Sequence, residues 1–341
     1  AAGFYFGYID LPVATQVHSL ISYFLIASLW IVGVYLTALK VYIAVSATFA
    51  IGLTLAFGLS LLGAQLGSLD GMLMGFNAGL AVILFALIAR TFAEYPYPPR
   101  RIFAWVVHFR GYWSLAASGL LYNLAIWIDK WVMWFAPERE TLPSGFIHYG
   151  IYDGAMFLAF LSIVPSMATF VLNLETGFYE RYMRFYRDIQ HHATLERILN
   201  NHKMILVELL SGFRNLIVFQ ATVSLLCIVF ATEIFDLFGI NYLWLGIFRF
   251  GVLGAFFHTL FLVLTIILSY FDLRSRVLLL NVILLVTNFG FTLVSMHEGF
   301  ADYGYGYFAA ALFSFLVGAL ITFRELFRVP YHTFVTHPAA D

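Results

Sequence analysis

The positively charged residues of this chain are confined almost entirely to every second gap between its long apolar runs. About nine such runs occur, and fifteen of the eighteen Lys and Arg residues fall in alternate gaps. Cytoplasmic connectors of multi-pass membrane proteins carry an excess of Lys and Arg. The pattern therefore predicts an all-α polytopic membrane protein whose basic connectors and C-terminus lie in the cytoplasm. These basic residues are Lys40, Arg90, Arg100, Arg101, Arg110, Arg181, Arg184, Arg187, Arg197, Lys203, Arg214, Arg274, Arg276, Arg324 and Arg328.

Composition supports lipid as the solvent and argues against several functional classes. The chain is 62% hydrophobic and 11% charged, whereas a soluble domain carries about 25% charged residues. A net charge of −1 gives no reason to expect a nucleic-acid partner. The sequence contains no phosphate-binding loop of the Walker type, no His-Glu-x-x-His and no Cys-x-x-Cys. We therefore expect no cofactor, no metal and no enzymatic activity.

The apolar runs predict nine transmembrane helices. A run of about 20 residues spans a hydrocarbon core of about 30 Å, and a backbone that lipid cannot hydrogen-bond must be helical. A cytoplasmic C-terminus with nine crossings places residue 1 outside, so we expect further spans to precede this segment. The expected spans are 12–39, 41–66, 70–91, 112–135, 150–172, 214–232, 246–270, 277–296 and 304–323.

Two connectors predict the domain organisation. The Pro-rich segment 96–101 cannot sustain a helix and predicts a cytoplasmic linker between an N-terminal lobe, 1–95, and a C-terminal lobe, 102–341. The connector 173–213 is amphipathic, with aromatic and aliphatic residues at helical spacing. His191 and His192 predict a turn, and Thr194 is a candidate cap for a second helix through Gly212. This connector either lies on the inner leaflet or is a docking surface for cytoplasmic partners, and both are compatible.

Four charged residues within or near the outer halves of the spans are candidates for function. Asp129 and Lys130 lie late in the fourth span, Asp153 early in the fifth, and Arg249 early in the seventh. Charged groups in a membrane are costly and often mark transport paths. They either form ion pairs that join helices, extend to the interface, or line a substrate cavity or gate.

Several uncharged residues also share helix faces. Asn123 is seven residues before Lys130, and Asn281 and Asn288 align in the eighth span. Interhelical hydrogen bonding and a hydrophilic substrate path are both compatible with this alignment. Gly71, Gly75 and Gly79 form a small-residue face that favours close helix packing. Pro165 predicts a kink in the fifth span, and His258 and Gln220 are expected to be buried polar groups with partners.

Three segments carry a resemblance to a known family. They are Leu121–Phe135 (LYNLAIWIDKWVMWF), Ile151–Ser166 (IYDGAMFLAFLSIVPS) and Asn173–Tyr182 (NLETGFYERY). They resemble the inner-membrane Pel exopolysaccharide transporters (the PelG family) of the multidrug/oligosaccharidyl-lipid/polysaccharide flippase superfamily. The resemblance extends over the whole chain.

The resemblance implies a two-lobed, twelve-helix flippase-like fold in the bacterial inner membrane, of which this chain has all but the first three helices. It implies transport of Pel polymer, an N-acetylgalactosamine-rich chain, from cytoplasm to periplasm for biofilm matrix formation. The implied partners are the Pel glycosyltransferase, the cyclic-di-GMP receptor and the helical-repeat scaffold subunits. The candidate docking residues in the amphipathic connector are Phe178, Tyr182, Phe185 and Arg187.

Two other functions remain open from the residues alone. An integral-membrane enzyme, such as an acyltransferase or a polymerase, requires a His beside a carboxylate at one depth. His258 lies near mid-membrane, whereas Asp129 and Asp153 lie nearer the outer side, which weakens that hypothesis. A scaffold that only anchors the polysaccharide synthase is the third possibility.

Overall fold

The computed structural model describes residues 2–38, 41–97, 103–173 and 177–335. Lys40, Arg100, Arg101 and most of the Pro-rich linker lie outside these ranges. Two two-residue strands, Glu140–Thr141 and Ile147–His148, separate the fifth and sixth helices. The described helices are α1 Ala2–Tyr8, α2 Val13–Ala38, α3 Tyr42–Gln65, α4 Leu69–Glu94, α5 Ala104–Met133, α6 Gly150–Leu161, α7 Val164–Asn173, α8 Tyr179–Gln190, α9 Leu195–Val229, α10 Ala231–Phe238, α11 Leu245–Tyr270, α12 Arg274–Glu298 and α13 Tyr305–Val335.

The expected fold class is confirmed, although one expected span differs in character. Within the described ranges, eight segments are long and apolar enough to cross a membrane, and they correspond to the expected spans other than 112–135. That span lies in α5, whose 30 residues exceed the length of a crossing. Asn123, Asp129 and Lys130 interrupt the apolar run in the second half of α5.

The chain divides into two compact units. Unit 1 comprises Ala1–Trp105 and Thr141–Phe146, and unit 2 comprises Val106–Glu140 and Ile147–Asp341. The expected lobes, 1–95 and 102–341, meet at a linker that is only partly described. Those boundaries therefore stay a prediction.

The glycine face of α4 brings α3 and α4 of unit 1 into close contact. A Cβ atom added at Gly79 would lie 2.4 Å from the Cβ of Ala56, and one added at Gly75 would lie 2.5 Å from the carbonyl carbon of Leu59. Such distances leave no room for any side chain. The predicted packing role of these glycines is confirmed.

In unit 2, the amphipathic connector forms α8 and the first part of α9. The predicted turn at His191-His192 is confirmed, and His192 adopts a φ of 53°. Thr194 occupies the N-cap of α9, but its side chain makes no capping hydrogen bond. The predicted separation of a helix ending at Gly212 from a span beginning at 214 is wrong. One helix of 35 residues, about 52 Å long, runs through both.

The aromatic face of α8 contacts other helices of its own unit. Phe178 and Phe185 are buried in a cluster with apolar side chains of α9, α11 and α13. The buried carboxylate of Asp188 pairs with Arg197 of α9 at 3.0 Å. These contacts join the α8–α9 pair to the membrane helices of unit 2, so the apolar stripe of α8 is largely covered within the chain.

The predicted kink at Pro165 is confirmed as a break between α6, which ends at Leu161, and α7, which begins at Val164. Proline has no N–H to continue the helical hydrogen bonds. Gln220 of α9 is fully buried there, and its Nε2 donates to the carbonyl oxygen of Ser162 at 3.3 Å. The glutamine thus satisfies a backbone group exposed at the break.

Candidate functional site

Unit 2 contains a group of buried polar side chains within its membrane helices. We call it the buried polar cluster. Asp129, Lys130, Tyr152 and His258 are buried, and the partly buried Tyr122 joins them through a hydrogen bond between its hydroxyl and His258. Tyr122 and Asp129 are seven residues apart in α5, so they share one face of that helix. Tyr152 of α6 and His258 of α11 reach the same face from neighbouring helices. The cluster is the largest concentration of buried charge in the described part of unit 2.

Asp129 is the centre of the hydrogen bonding. Its Oδ2 lies 3.1 Å from the Nζ of Lys130 and accepts a 3.1 Å hydrogen bond from the hydroxyl of Tyr152. Lys130 also donates to the carbonyl oxygen of Ile126 at 3.0 Å, and its Nζ lies 4.9 Å from the ring centroid of Phe160. A buried charge is tolerated only when it is paired and hydrogen-bonded. Both charges meet that condition.

His258 occupies the aromatic end of the cluster. Its Nε2 is 2.9 Å from the hydroxyl oxygen of Tyr122, and its ring stacks on Tyr307 with centroids 6.1 Å apart. Within the described residues, neither the Nδ1 of His258 nor the hydroxyl of Tyr307 has a hydrogen-bond partner. The hydrogen-bond partner of His258 is a phenol, whereas the enzyme hypothesis requires a carboxylate beside it.

The four charges expected at similar depth do not form one network. Asp153 accepts a 2.8 Å hydrogen bond from the indole of Trp134. Arg249 is exposed and forms no ion pair with any described residue. Of the four, only Asp129 and Lys130 pair with each other in the described ranges. A role for Asp153 and Arg249 in the substrate path stays a prediction.

The candidate asparagines divide into two kinds. Asn281 of α12 donates to the hydroxyl and the carbonyl oxygen of Ser118 at 2.7 and 3.1 Å. Asn288 donates to the carbonyl oxygen of Ala125 at 2.8 Å. All three bonds join α12 to α5, as the interhelical interpretation expects. Asn123 is exposed and bonds only within its own helix, to Gly119. The substrate-path role of all three stays a prediction.

The candidate docking residues also divide. Phe178 and Phe185 are buried in the core of unit 2, with Phe185 at 0% exposure, and Tyr182 is half-buried. Arg187 is exposed. Helical periodicity identified the apolar face correctly but does not indicate which surface covers it. Partner docking stays a prediction, and Arg184 and Arg187 are among the exposed residues of α8.

Sequence reasoning did not identify Tyr152 or Tyr307 as members of this region. Both are completely buried or nearly so, and each belongs to an apolar run rich in aromatic residues. In sequence alone, a buried tyrosine in such a run looks the same as a tyrosine at the membrane interface. The proximity of Asp153 to Tyr152 in sequence was the one available signal, because adjacent polar residues in a span are costly.

Comparison with known proteins gives a family and a fold. Residues 1–334 match the family model described as "PelG: Putative exopolysaccharide Exporter (EPS-E)". No curated protein matches the chain significantly. A solved structure titled "Outward-facing conformation of a multidrug resistance MATE family transporter of the MOP superfamily" is similar, with a TM-score of 0.57 and 17% sequence identity over 84% of this chain. The chain spans 63% of that transporter's length, and at this identity the likeness concerns the fold.

Proposed function

The chain belongs to the PelG family of putative exopolysaccharide exporters, and on that premise we propose that it is a transport subunit for Pel exopolysaccharide. The substrate would be an N-acetylgalactosamine-rich polymer that moves from the cytoplasm to the periplasm and contributes to the biofilm matrix. The family match over residues 1–334 is the observation that carries this proposal.

The buried polar cluster supports transport rather than simple anchoring. A purely anchoring helix has no need for charge, whereas Asp129 is completely buried in a unit built of membrane helices. The pair that Asp129 forms with Lys130 supplies donors and acceptors without net charge. We propose that this pair forms part of a polar wall or gate on the path of the polymer.

The proposal extends to location and partners. The protein would reside in the bacterial inner membrane with a cytoplasmic C-terminus, beside the Pel glycosyltransferase, the cyclic-di-GMP receptor and the helical-repeat scaffold. The exposed Arg184 and Arg187 would contact one of these. Reversing both charges to Glu should reduce co-purification of the partner complex. Arg139 is exposed in the connector between α5 and α6, which the charge pattern predicts to lie outside, and Arg139→Glu should leave co-purification unchanged. Equal recovery of partners in both variants would rule out this surface.

The test of function separates export from synthesis. Inner-membrane vesicles carrying the complete complex are supplied with sugar nucleotide, and polymer is measured on both sides of the membrane. Without this protein, we expect polymer to be made but to remain on the side of synthesis. Undiminished transfer in its absence would refute the proposal.

The alternative functions predict different patterns in the same assay. An enzyme predicts that His258→Ala abolishes polymer synthesis while the complex stays intact. A scaffold predicts that Asp129→Ala retains both assembly and export. The proposed exporter predicts normal synthesis in both variants and reduced transfer for Asp129→Ala.

A further inference from the structure

Unit 2 contains a cavity of about 780 Å³ around the short connector between α11 and α12. We call it the connector pocket. Its walls come from α5, α8, the end of α11, the connector, the start of α12 and α13, all within one unit. Sites for small molecules have volumes of about 300–1,000 Å³. The pocket lies beside Arg274 and Arg276, and hence on the side that the alternation of charge predicts to be cytoplasmic.

Aromatic rings form much of the wall and hold one another in place. Tyr182 and Tyr186 of α8 have ring centroids 4.7 Å apart, and Tyr182 meets Tyr270 edge-to-face at 5.8 Å. The Tyr182 hydroxyl donates to the carbonyl oxygen of Tyr270 at 3.0 Å. Burial, and then the neighbouring Tyr186 phenol, raise the pKa of Tyr182 further above its usual range. This side of the pocket is therefore a fixed, uncharged aromatic surface.

Trp113 of α5 is the aromatic residue of the wall that remains most accessible. It is 56% exposed, so much of its indole ring is free of contacts within the chain. The face of an aromatic ring carries partial negative charge and attracts groups with partial positive charge. The C–H bonds on the apolar face of a sugar ring are groups of this kind.

The charged residues of the pocket are held in neutral pairs. Arg274 donates to Asp272 at 2.9 Å and to the carbonyl oxygen of Gly111 at 3.1 Å. Arg276 pairs with Glu325 at 3.0 Å, and the Glu325 side chain is only 4% exposed. A site in which arginine binds phosphate or nucleotide uses a guanidinium group that is not already paired with a carboxylate. Two bases with two acids instead provide many hydrogen-bond donors and acceptors without net charge.

From this geometry we propose that the connector pocket binds a short run of neutral, N-acetylated sugar residues. Hydroxyl and amide groups both donate and accept hydrogen bonds, which suits the paired guanidinium and carboxylate groups. The apolar sugar face would stack on Trp113. The inference deepens the proposed function, on which it rests, by placing a polymer-binding site at the cytoplasmic end of unit 2.

The test is binding of an N-acetylgalactosamine tetrasaccharide to the intact purified protein in lipid nanodiscs, measured by calorimetry and by saturation-transfer NMR. Loss of one aromatic stacking partner is worth about 0.5–1.5 kcal/mol, so Trp113→Ala should weaken binding by about two- to twelvefold. Trp113→Phe, which keeps a ring, should lose less. Trp30→Ala is the matched control, because Trp30 is an exposed tryptophan of unit 1, and it should bind like the unchanged protein.

The outcomes distinguish this inference from the proposed function. Binding by Trp113→Ala within twofold of the unchanged protein overturns the pocket assignment, as does absence of tetrasaccharide binding at millimolar concentration. Inorganic phosphate that competes through Trp113 would identify an anion site and also overturn it. If the vesicle assay still shows polymer transfer in these cases, the proposed function stands while the pocket assignment fails.

Discussion

Asp129→Ala is the substitution that the buried polar cluster should tolerate least. It leaves the ammonium of Lys130, 8% exposed, without its carboxylate, and the hydroxyl of Tyr152 without its acceptor. Removing one partner of a buried ion pair costs about 3–5 kcal/mol, because the remaining charge is uncompensated. A buried hydroxyl left without a partner costs about 1–3 kcal/mol. We therefore expect the free energy of unfolding to fall by at least about 3 kcal/mol.

A double-mutant cycle isolates the pairing from other effects of the substitution. Lys130→Met keeps the apolar stem and leaves Asp129 with Tyr152 as its partner. The double variant, Asp129→Ala with Lys130→Met, contains no lone charge and should be more stable than Asp129→Ala alone by about 2 kcal/mol. The measurement is reversible unfolding in mixed micelles, followed by circular dichroism. Asn123→Ala, on an exposed position of the same helix, is the control.

Two results are expected if the ion pair stabilises the fold. Asp129→Ala must cost clearly more than the Asn123→Ala control, and the costs of the two single substitutions must not add in the double variant. A cost for Asp129→Ala below about 1 kcal/mol, or strict additivity, would refute the pairing as a stabilising interaction.

Three further substitutions test the packing of helices within each unit. Gly79→Leu should prevent folding of unit 1, because the site has no room for a side chain. Gly58 has open space around it, so Gly58→Leu should be tolerated, and thermal unfolding in detergent distinguishes the two variants. Asn281→Leu should lower the free energy of unfolding by about 1 kcal/mol through lost interhelical hydrogen bonds, and Asn123→Leu by less. Phe185→Ala should cost about 3–5 kcal/mol, because the ring is completely buried, and an effect below about 1 kcal/mol would show that α8 detaches from unit 2.

Much of the fold follows from the sequence because lipid leaves few alternatives. A long apolar run in lipid must be a helix. The glycines of α4 allow a neighbouring helix to approach closely. The continuity of α9 could not be predicted in the same way. Its first half is amphipathic and its second half apolar, so composition changes near Gly212 although the helix continues. Glycine in a helix interior costs only about 1 kcal/mol, which neighbouring contacts offset.

Of the five members of the buried polar cluster, Asp129 and Lys130 are the two that the sequence identifies as candidate site residues. A charge in an apolar run is visible, so Asp129 and Lys130 could be singled out. Adjacent residues in a helix do not face each other, and sequence reasoning therefore directs the search for a partner to other helices. Lys130 instead turns back towards the carbonyl oxygen of Ile126, which brings its ammonium close to Asp129. The length of the lysine stem permits this contact, and helical phase does not reveal it.

The two groups of charges in unit 2 bear on how the proposed export would be driven. The buried polar cluster and the connector pocket both hold their charges in pairs of opposite sign, which would suit the neutral polymer that we propose as substrate. A membrane potential does work of about 2.3 kcal/mol per elementary charge per 100 mV, and none directly on a neutral chain. If the potential accelerates export in vesicles, it must therefore act on charges of the protein that move.

Arg249 is the residue on which this consequence can be tested. It is a charge at a membrane helix that is compensated by no described residue. If it moves in the field, Arg249→Gln should reduce the dependence of export on potential while leaving export at zero potential unchanged. Asp129→Asn, by contrast, should reduce export at every potential, because it disrupts the pair itself. Full dependence on potential in the Arg249→Gln variant would exclude Arg249 as the charge that senses the field.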